Sequence, residues 1–157
     1  EGQGKLIGMD PSRCAALAGV FDLVLVEADG SRGLPVKAPA GHEPALPREA
    51  DIVFGFIGLD CLDKAATTAF VHRLGNFLSV TGVAPGSPIA PAHLGRLAAR
   101  PEGLFKSAPA GALRVVVLNK ADGVADGLAE RARSEVGATG AASRVILASL
   151  APRTVPQ

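Results

Sequence analysis

The sequence has no tryptophan, no tyrosine and six phenylalanines, and its two cysteines, Cys14 and Cys61, lack CxxC spacing. Few aromatic residues argue against a stacking platform for nucleic-acid bases, and isolated cysteines argue against a disulfide framework or a structural zinc site. A net charge of +1 gives no electrostatic reason to bind nucleic acid or an anionic membrane. No run approaches the roughly 20 apolar residues of a membrane span, and no signal peptide is visible. We therefore expect a cytoplasmic protein.

The chain nevertheless has ample apolar material, since 48% of its 157 residues are hydrophobic and 20% are charged. Domains typically hold about 100–150 residues, so a single domain is expected. Apolar runs alternate with helical segments, which predicts a three-layer α/β fold with a mostly parallel sheet. Predicted strands cover residues 22–26, 51–58, 113–118 and 144–148, and predicted helices cover 10–20, 64–69, 75–80, 90–99 and 123–136.

Two carboxylates, Glu27 and Asp29, follow the strand predicted at 22–26 and precede Gly30. Ligands of open α/β sheets bind at the carboxyl ends of the strands, where these acids would lie. A carboxylate there typically holds Mg²⁺, directly or through water, or orients an attacking water beside a nucleotide. We assign Glu27 and Asp29 as candidate catalytic and magnesium-binding residues, the alternative being a turn that Asp29 stabilises.

Another predicted strand ends in Asn119-Lys120-Ala121-Asp122. The Asp122 carboxylate can accept two hydrogen bonds from the N1–H and amino groups of guanine, which adenine cannot offer. Asn119 can bond the purine N7 edge or join neighbouring loops, and the Lys120 stem can cover the base while its ammonium stays in water. Ala148-Ser149, at the end of the next strand, could offer a backbone N–H to guanine O6. The pattern predicts a guanine-nucleotide site, and a helix start capped by Asp122 is the alternative.

Residues 30–47 are rich in glycine and proline, which disfavour regular structure. A loop of this length inside a compact domain is usually functional. We expect it to face a substrate or partner, with these candidate residues in or near it: Ser31, Arg32, Lys37, His42, Glu43, His72 and Arg73. Arg32 and Lys37 could reach phosphates or an acidic ligand. A metal site made of His42, His72 and Cys61 is conceivable, although no spacing supports it.

The sequence contains no GxxxxGK[ST] loop. That loop surrounds nucleotide phosphates with backbone N–H groups and supplies a lysine and a Mg²⁺-binding hydroxyl. Either a phosphate cradle precedes this chain in a longer polypeptide, or the turn at residues 27–30 (the acid turn) and the Asn-Lys-Ala-Asp turn do not form a nucleotide site. We favour the first, and expect this chain to be the C-terminal part of a longer nucleotide-binding protein.

The longest distinctive stretch, residues 25–44, reads LVEADGSRGLPVKAPAGHEP. It resembles the signature of the YqeC-like accessory proteins of bacteria, and the similarity continues at residues 57–60, 71–73, 101–104 and 118–122. These proteins are associated with selenium-dependent molybdenum hydroxylases, and the resemblance implies a P-loop NTPase-like core. Family members usually begin with a P-loop ending in Gly-Lys-Thr, which this chain lacks. The acid turn is also similar to that of metallochaperone GTPases.

Together these patterns predict a Mg²⁺-dependent, GTP-favouring accessory or maturation factor for selenium-dependent molybdenum hydroxylases. Its partners would be a nucleotide and a molybdenum hydroxylase or its cofactor, and it would be a GTPase if an upstream P-loop exists. The alternative is a non-catalytic module that binds a cofactor or a protein through residues 30–47. A hydrolase that uses Glu27, Asp29 and His42 as acid–base groups is a third possibility, which no Gly-x-Ser-x-Gly pattern supports.

Overall fold

A computed structural model describes residues 8–10 and 13–150 of the chain. Its strands are β1 (Val36–Lys37), β2 (Ile52–Gly58), β3 (Val71–His72), β4 (Leu113–Asn119) and β5 (Arg144–Leu147). Its α-helices are α1 (Cys14–Ala18), α2 (Leu74–Thr81), α3 (Pro91–Ala99) and α4 (Asp126–Gly137). Short 3₁₀ turns follow β2 at Leu59–Cys61 and β4 at Ala121–Gly123.

The main sheet has three strands, which pair in parallel in the order β2-β4-β5. Gly58 lies opposite Asn119 and Leu118 lies opposite Leu147, so the three strands end at the same edge. β1 and β3 form a separate parallel pair. The Gly58 N–H donates to the carbonyl oxygen of Pro35 at 2.8 Å, which ties the segment of β1 to the carboxyl end of β2.

The hydrophobic core lies on one face of the main sheet, where side chains of α2, α3 and α4 pack against β2 and β4. Ile57, Val116 and Leu118 of the strands are fully buried there. Gly95 lets α3 approach α4 closely, since a Cβ at this position would lie 3.0 Å from the carbonyl oxygen of Glu135.

The opposite face of the sheet is apolar and exposed in the described part of the chain. Large side chains on it are 43–57% exposed: Ile52, Phe54, Phe56, Leu113 and Ile146. The predicted strand at 51–58 is therefore confirmed as β2 but is buried on one face only. The parallel α/β class is confirmed, whereas a third layer is not seen among residues 8–10 and 13–150.

The strand predicted at 22–26 is wrong. These residues are irregular, and Leu23 and Leu25 are 74% and 82% exposed. A strand forms only where neighbours satisfy its backbone groups, and no strand of the described residues pairs with this segment. An apolar run favours a strand, but it does not supply the partner.

The helix predicted at 64–69 is also wrong, because this segment pairs with the turn at 85–88 and the residue that follows it. The N–H groups of Asp63 and Ala66 donate to Ile89 and Ser87, each at 2.9 Å, and the N–H of Ile89 donates back to Lys64. Backbone groups that a helix would use internally are thus satisfied across two loops.

The remaining predicted elements are confirmed, with ends that differ by at most three residues at α2, α3, α4, β4 and β5. The helix predicted at 10–20 is shorter, at Cys14–Ala18, and Pro11 lies outside the described residues. Residues 30–47 are more regular than predicted, because they contain β1 and bury Val36 and Ala38. Among the described helices, none has the length and apolarity that a membrane crossing requires.

Gly103 offers a test of this packing, because a Cβ there would lie 1.9 Å from the carbonyl oxygen of Leu97 in α3. Gly103→Ala should lower the free energy of unfolding by about 1–3 kcal/mol, measured by urea denaturation. Gly111→Ala is the control, since a Cβ there meets no atom within 4 Å. Equal losses in the two variants would contradict the packing explanation.

Candidate functional site

The candidate site lies at the carboxyl edge of the main sheet, where three segments meet. The 3₁₀ turn Leu59–Cys61 follows β2, residues 119–122 end β4 and begin the loop after it, and residues 148–150 follow β5. Since parallel strands end at one edge, segments far apart in sequence become neighbours.

Three hydrogen bonds tie the segment after β5 to the loop after β4. The Asn119 side-chain oxygen accepts from the N–H of Leu150 at 2.8 Å, and the N–H of Asp122 donates to Ser149 Oγ at 3.2 Å. The N–H of Ala121 donates to the Ala148 carbonyl at 3.0 Å. The structure therefore brings Ala148 together with the Asn-Lys-Ala-Asp loop. Of the two roles considered for Asn119, the structure shows its side chain joining neighbouring loops.

Ala148 cannot donate to a base as predicted, because its N–H already donates to the Leu118 carbonyl at 2.9 Å. This bond extends the β4–β5 ladder by one residue. The N–H of Ser149, the other residue of the predicted pair, makes no hydrogen bond in the described part of the chain, so it is the candidate donor that remains.

The Asp122 carboxylate is exposed and has no hydrogen-bond or ion-pair partner within residues 8–10 and 13–150. Asp122 lies in the 3₁₀ turn Ala121–Gly123, whereas α4 begins at Asp126 after an N-cap at Ala125. The alternative that Asp122 caps this helix is therefore wrong. Its carboxylate is open to a ligand.

Lys120 adopts a left-handed backbone conformation, with φ at 60°. Its ammonium is 2.6 Å from Asp60 Oδ2, so it is paired as well as half exposed to water. Sequence reasoning assigned no role to Asp60. The signal was nonetheless present, since an acid just after the end of β2 obeys the strand-end rule that singled out Glu27 and Asp29.

A second cluster centres on Lys37, whose side chain is only 8% exposed. Its ammonium donates to the carboxylate of Asp29 and to the Gly30 carbonyl at 3.1 Å, and it forms an ion pair with Glu43 Oε2 at 2.8 Å. These three contacts surround the ammonium. Lys37 therefore orders the acid turn and is not free to reach a phosphate as predicted.

Glu43 is held by the Arg73 guanidinium, which donates to Oε2 at 2.9 Å and to Oε1 at 2.7 Å. The N–H of Ala40 donates to Oε2 at 3.0 Å. The bonds from Arg73, helped by Lys37, keep the pKa of Glu43 well below its usual range despite burial. In return, the bonds to Glu43 raise the pKa of Arg73. The two predicted loop residues thus satisfy each other.

The remaining predicted loop residues differ in their surroundings. The pKa of His72 is lowered by burial and by the nearby charges of Lys37 and Arg73, which disfavour the protonated ring. Ser31 Oγ donates to the Leu34 carbonyl at 2.7 Å and closes a tight turn. That turn presents Arg32, which is exposed and makes no hydrogen bond or ion pair with another described residue.

An open pocket of about 360 Å³ adjoins this cluster. Its lining includes Glu27, Asp29, His42 and Glu43. The His42 ring is 77% exposed and lies 3.7 Å from Glu43 Oε1. Glu27 is exposed, as a ligand-binding acid can be.

The metal site of His42, His72 and Cys61 is wrong. Among the described residues, no group of three or more His, Cys, Asp and Glu side chains could hold a metal ion. Cys61 is fully buried, and burial together with the charge of Asp60 raises the pKa of its thiol to about 12. It is an inert part of the core.

The Glu43 carboxylate gives the cluster a testable response to acid. Because its folded pKa lies below the ordinary value of 4.5, its stabilising effect is complete above pH 4.5 and is lost as the pH falls toward the folded pKa. Glu43→Gln should lower the free energy of unfolding at neutral pH by about 1–2 kcal/mol. Urea denaturation from neutral pH to about pH 3 should also show a shallower acid loss than in the wild type.

Glu49→Gln is the control for this comparison, because Glu49 is exposed and has no partner among the described residues. It should keep the wild-type stability to within about 0.5 kcal/mol and keep the wild-type acid slope. If the Glu43 variant lost stability with falling pH as steeply as the wild type, another carboxylate would be responsible for the acid loss.

Comparison with known proteins gives one family. Residues 1–75 match the family model described as YqeC protein. The chain is 38% identical over 120 residues to the Uncharacterized protein YqeC of Escherichia coli (strain K12), which covers 75% of this chain and 47% of that protein. This chain therefore spans about half the length of that curated relative. No solved structure matches. The chain carries a YqeC family domain.

Proposed function

We propose that this chain contributes the base-reading loop of a guanine-nucleotide-binding accessory protein. The observation that carries the proposal is the exposed carboxylate of Asp122, which has no partner among residues 8–10 and 13–150 and stands on a loop fixed by hydrogen bonds with residues 148–150. A fixed, open acceptor at the carboxyl edge of a parallel sheet suits a ligand better than a packing role.

The chemistry of guanine fits this acceptor. Guanine offers two adjacent donors, N1–H and the 2-amino group, to the two oxygens of one carboxylate. Adenine offers an acceptor at N1 and has no 2-amino group, so it would leave the carboxylate unsatisfied. Sites built to bond a particular donor reject analogues that lack it, which makes Asp122 the specificity residue of the proposal. The Ser149 N–H is the proposed donor to guanine O6.

We assign magnesium binding in the proposal to Glu27 and Asp29. Mg²⁺ in nucleotide sites commonly uses one or two carboxylates together with waters and phosphate oxygens, so two acids suffice. Lys37 occupies one oxygen of Asp29, which leaves the other oxygen and the Glu27 carboxylate beside the open pocket. When bound, the ion would offset phosphate charge.

The pathway in the proposal is maturation of selenium-dependent molybdenum hydroxylases, and it rests on the resemblance of residues 25–44 to the YqeC-like accessory proteins. In this proposal the face of the loop around Arg32 and His42 contacts the hydroxylase or its cofactor. Both side chains are exposed, and neither is among the donors that hold the Lys37 cluster together.

Asp122→Asn tests the guanine assignment directly. Xanthine carries an oxygen where guanine carries its 2-amino group, so an amide at position 122 should bind xanthosine diphosphate and lose guanosine diphosphate. We expect GDP affinity to fall at least about tenfold and the preference to switch, since two charge-assisted hydrogen bonds are lost. The measurement is titration of the chain with GDP, ADP and xanthosine diphosphate, followed by NMR shifts of the Ala121 and Gly123 amides.

Asp51→Asn is the matched control, because Asp51 is an exposed acid next to the amino end of β2, at the opposite edge of the sheet. It should leave all three affinities unchanged. Equal binding of GDP and ADP by the wild type, or an unchanged preference in the Asp122 variant, would refute the guanine assignment.

Glu27→Gln tests the magnesium assignment in the same titration. Added Mg²⁺ should strengthen GDP binding by the wild type and have a smaller effect on the variant, because one ligand of the ion is lost. The ratio of GDP to ADP affinity should stay the same, since the base is read elsewhere. Glu49→Gln serves as the control, and a wild-type Mg²⁺ effect in the Glu27 variant would remove Glu27 from the proposal.

A further inference from the structure

Asp60 is held in a position that is energetically unfavourable for a carboxylate. Its Oδ1 is buried and has no hydrogen-bond partner among the described residues, while its Oδ2 accepts from Lys120 at 2.6 Å. Burying an acceptor without a donor destabilises a fold, so an apolar side chain or a small one would suit this niche better. The carboxylate is useful only through the oxygen that faces Lys120.

The backbone around Asp60 gives this carboxylate little freedom to move. Leu59 and Cys61, its neighbours in the 3₁₀ turn, are both 0% exposed. On the other side, a Cβ at Gly58 would lie 2.5 Å from Asp60 Oδ1, so glycine leaves the space that the carboxylate occupies. The Oδ2 atom is therefore presented from a rigid support.

The partner lysine is fixed at both ends. Its backbone stands between Asn119, whose side chain is bonded to Leu150, and Ala121, whose N–H is bonded to Ala148. Its ammonium is fixed by Asp60. The side-chain entropy of a lysine is large, and ordering it before a ligand arrives removes that penalty from binding.

We infer that Asp60 is a positioning residue of the proposed guanine site, which holds Lys120 so that the lysine stem covers the purine. The inference rests on the proposed function, because it concerns the same loop. Asp60 acts on affinity for any purine, whereas Asp122 and the Ser149 N–H set the choice of base. Asp60 does not contact the ligand itself and acts on binding through Lys120.

A double-mutant cycle of Asp60→Ala and Lys120→Met tests this arrangement by the same nucleotide titration. Methionine keeps an apolar stem but has no ammonium for Asp60 to hold. We expect Asp60→Ala to weaken GDP and ADP binding by about two- to fivefold, the range for a partly exposed ion pair, with their ratio unchanged. In the Lys120→Met background the same change should have no further effect.

Two further variants complete the experiment. Asp60→Asn, which keeps the side-chain shape, replaces the alanine variant if that variant does not fold, and Asp51→Ala is the control.

Three other outcomes of these titrations would contradict the inference. A loss that persists in the Lys120→Met background means that Asp60 acts through the turn alone and overturns it. Unchanged affinity in Asp60→Ala, together with a switch of base in Asp122→Asn, overturns the role of Asp60 and leaves the guanine site standing. No switch of base in Asp122→Asn overturns both.

Discussion

Parallel hydrogen bonding of β2, β4 and β5 is the constraint on which the candidate site depends. Their register ends the three strands level, with Gly58 opposite Asn119 and Leu118 opposite Leu147. Lys120 can then meet an acid 60 residues away in sequence, and Asn119 can accept a bond from a residue 31 positions later. A slip of one residue would turn the buried side chains to the other face, so the core that fixes the register also fixes the site.

The charged residues of the carboxyl-edge site and of the Lys37 cluster divide into two groups by the bonds they make. Lys37, Glu43 and Arg73 satisfy one another and hold the loop of residues 30–47 in shape. Asp122 and Glu27 are exposed, and neither makes a hydrogen bond or ion pair with another described residue. Charges of the first kind stabilise the scaffold, whereas open carboxylates are available to a ligand. Composition cannot separate the two groups, because both consist of the same residue types.

Much of the fold could be predicted from sequence where the signal is local. The apolar run of β4 and the turn after it were predicted together because both depend on neighbouring residues. The segment at 22–26 shows the limit, since its burial requires a partner strand that no apolar pattern supplies. The Asp60–Lys120 and Glu43–Arg73 pairs could not be predicted, because each joins elements whose contact depends on strand order. The pairing of the segment at 64–69 with residues 85–89 could not be predicted either, because it depends on a contact between two loops that are separate in sequence.

The exposed apolar face of the main sheet has a consequence for how stability varies with temperature. Phe54, Phe56 and Ile146 already contact water in the folded chain, so unfolding hydrates less new apolar surface than in a domain that covers both faces. The heat-capacity change of unfolding should then lie below the usual value of about 12–15 cal/mol/K per residue. A smaller heat-capacity change flattens the curve of stability against temperature, so cooling would weaken this fold less than it weakens a fully layered domain.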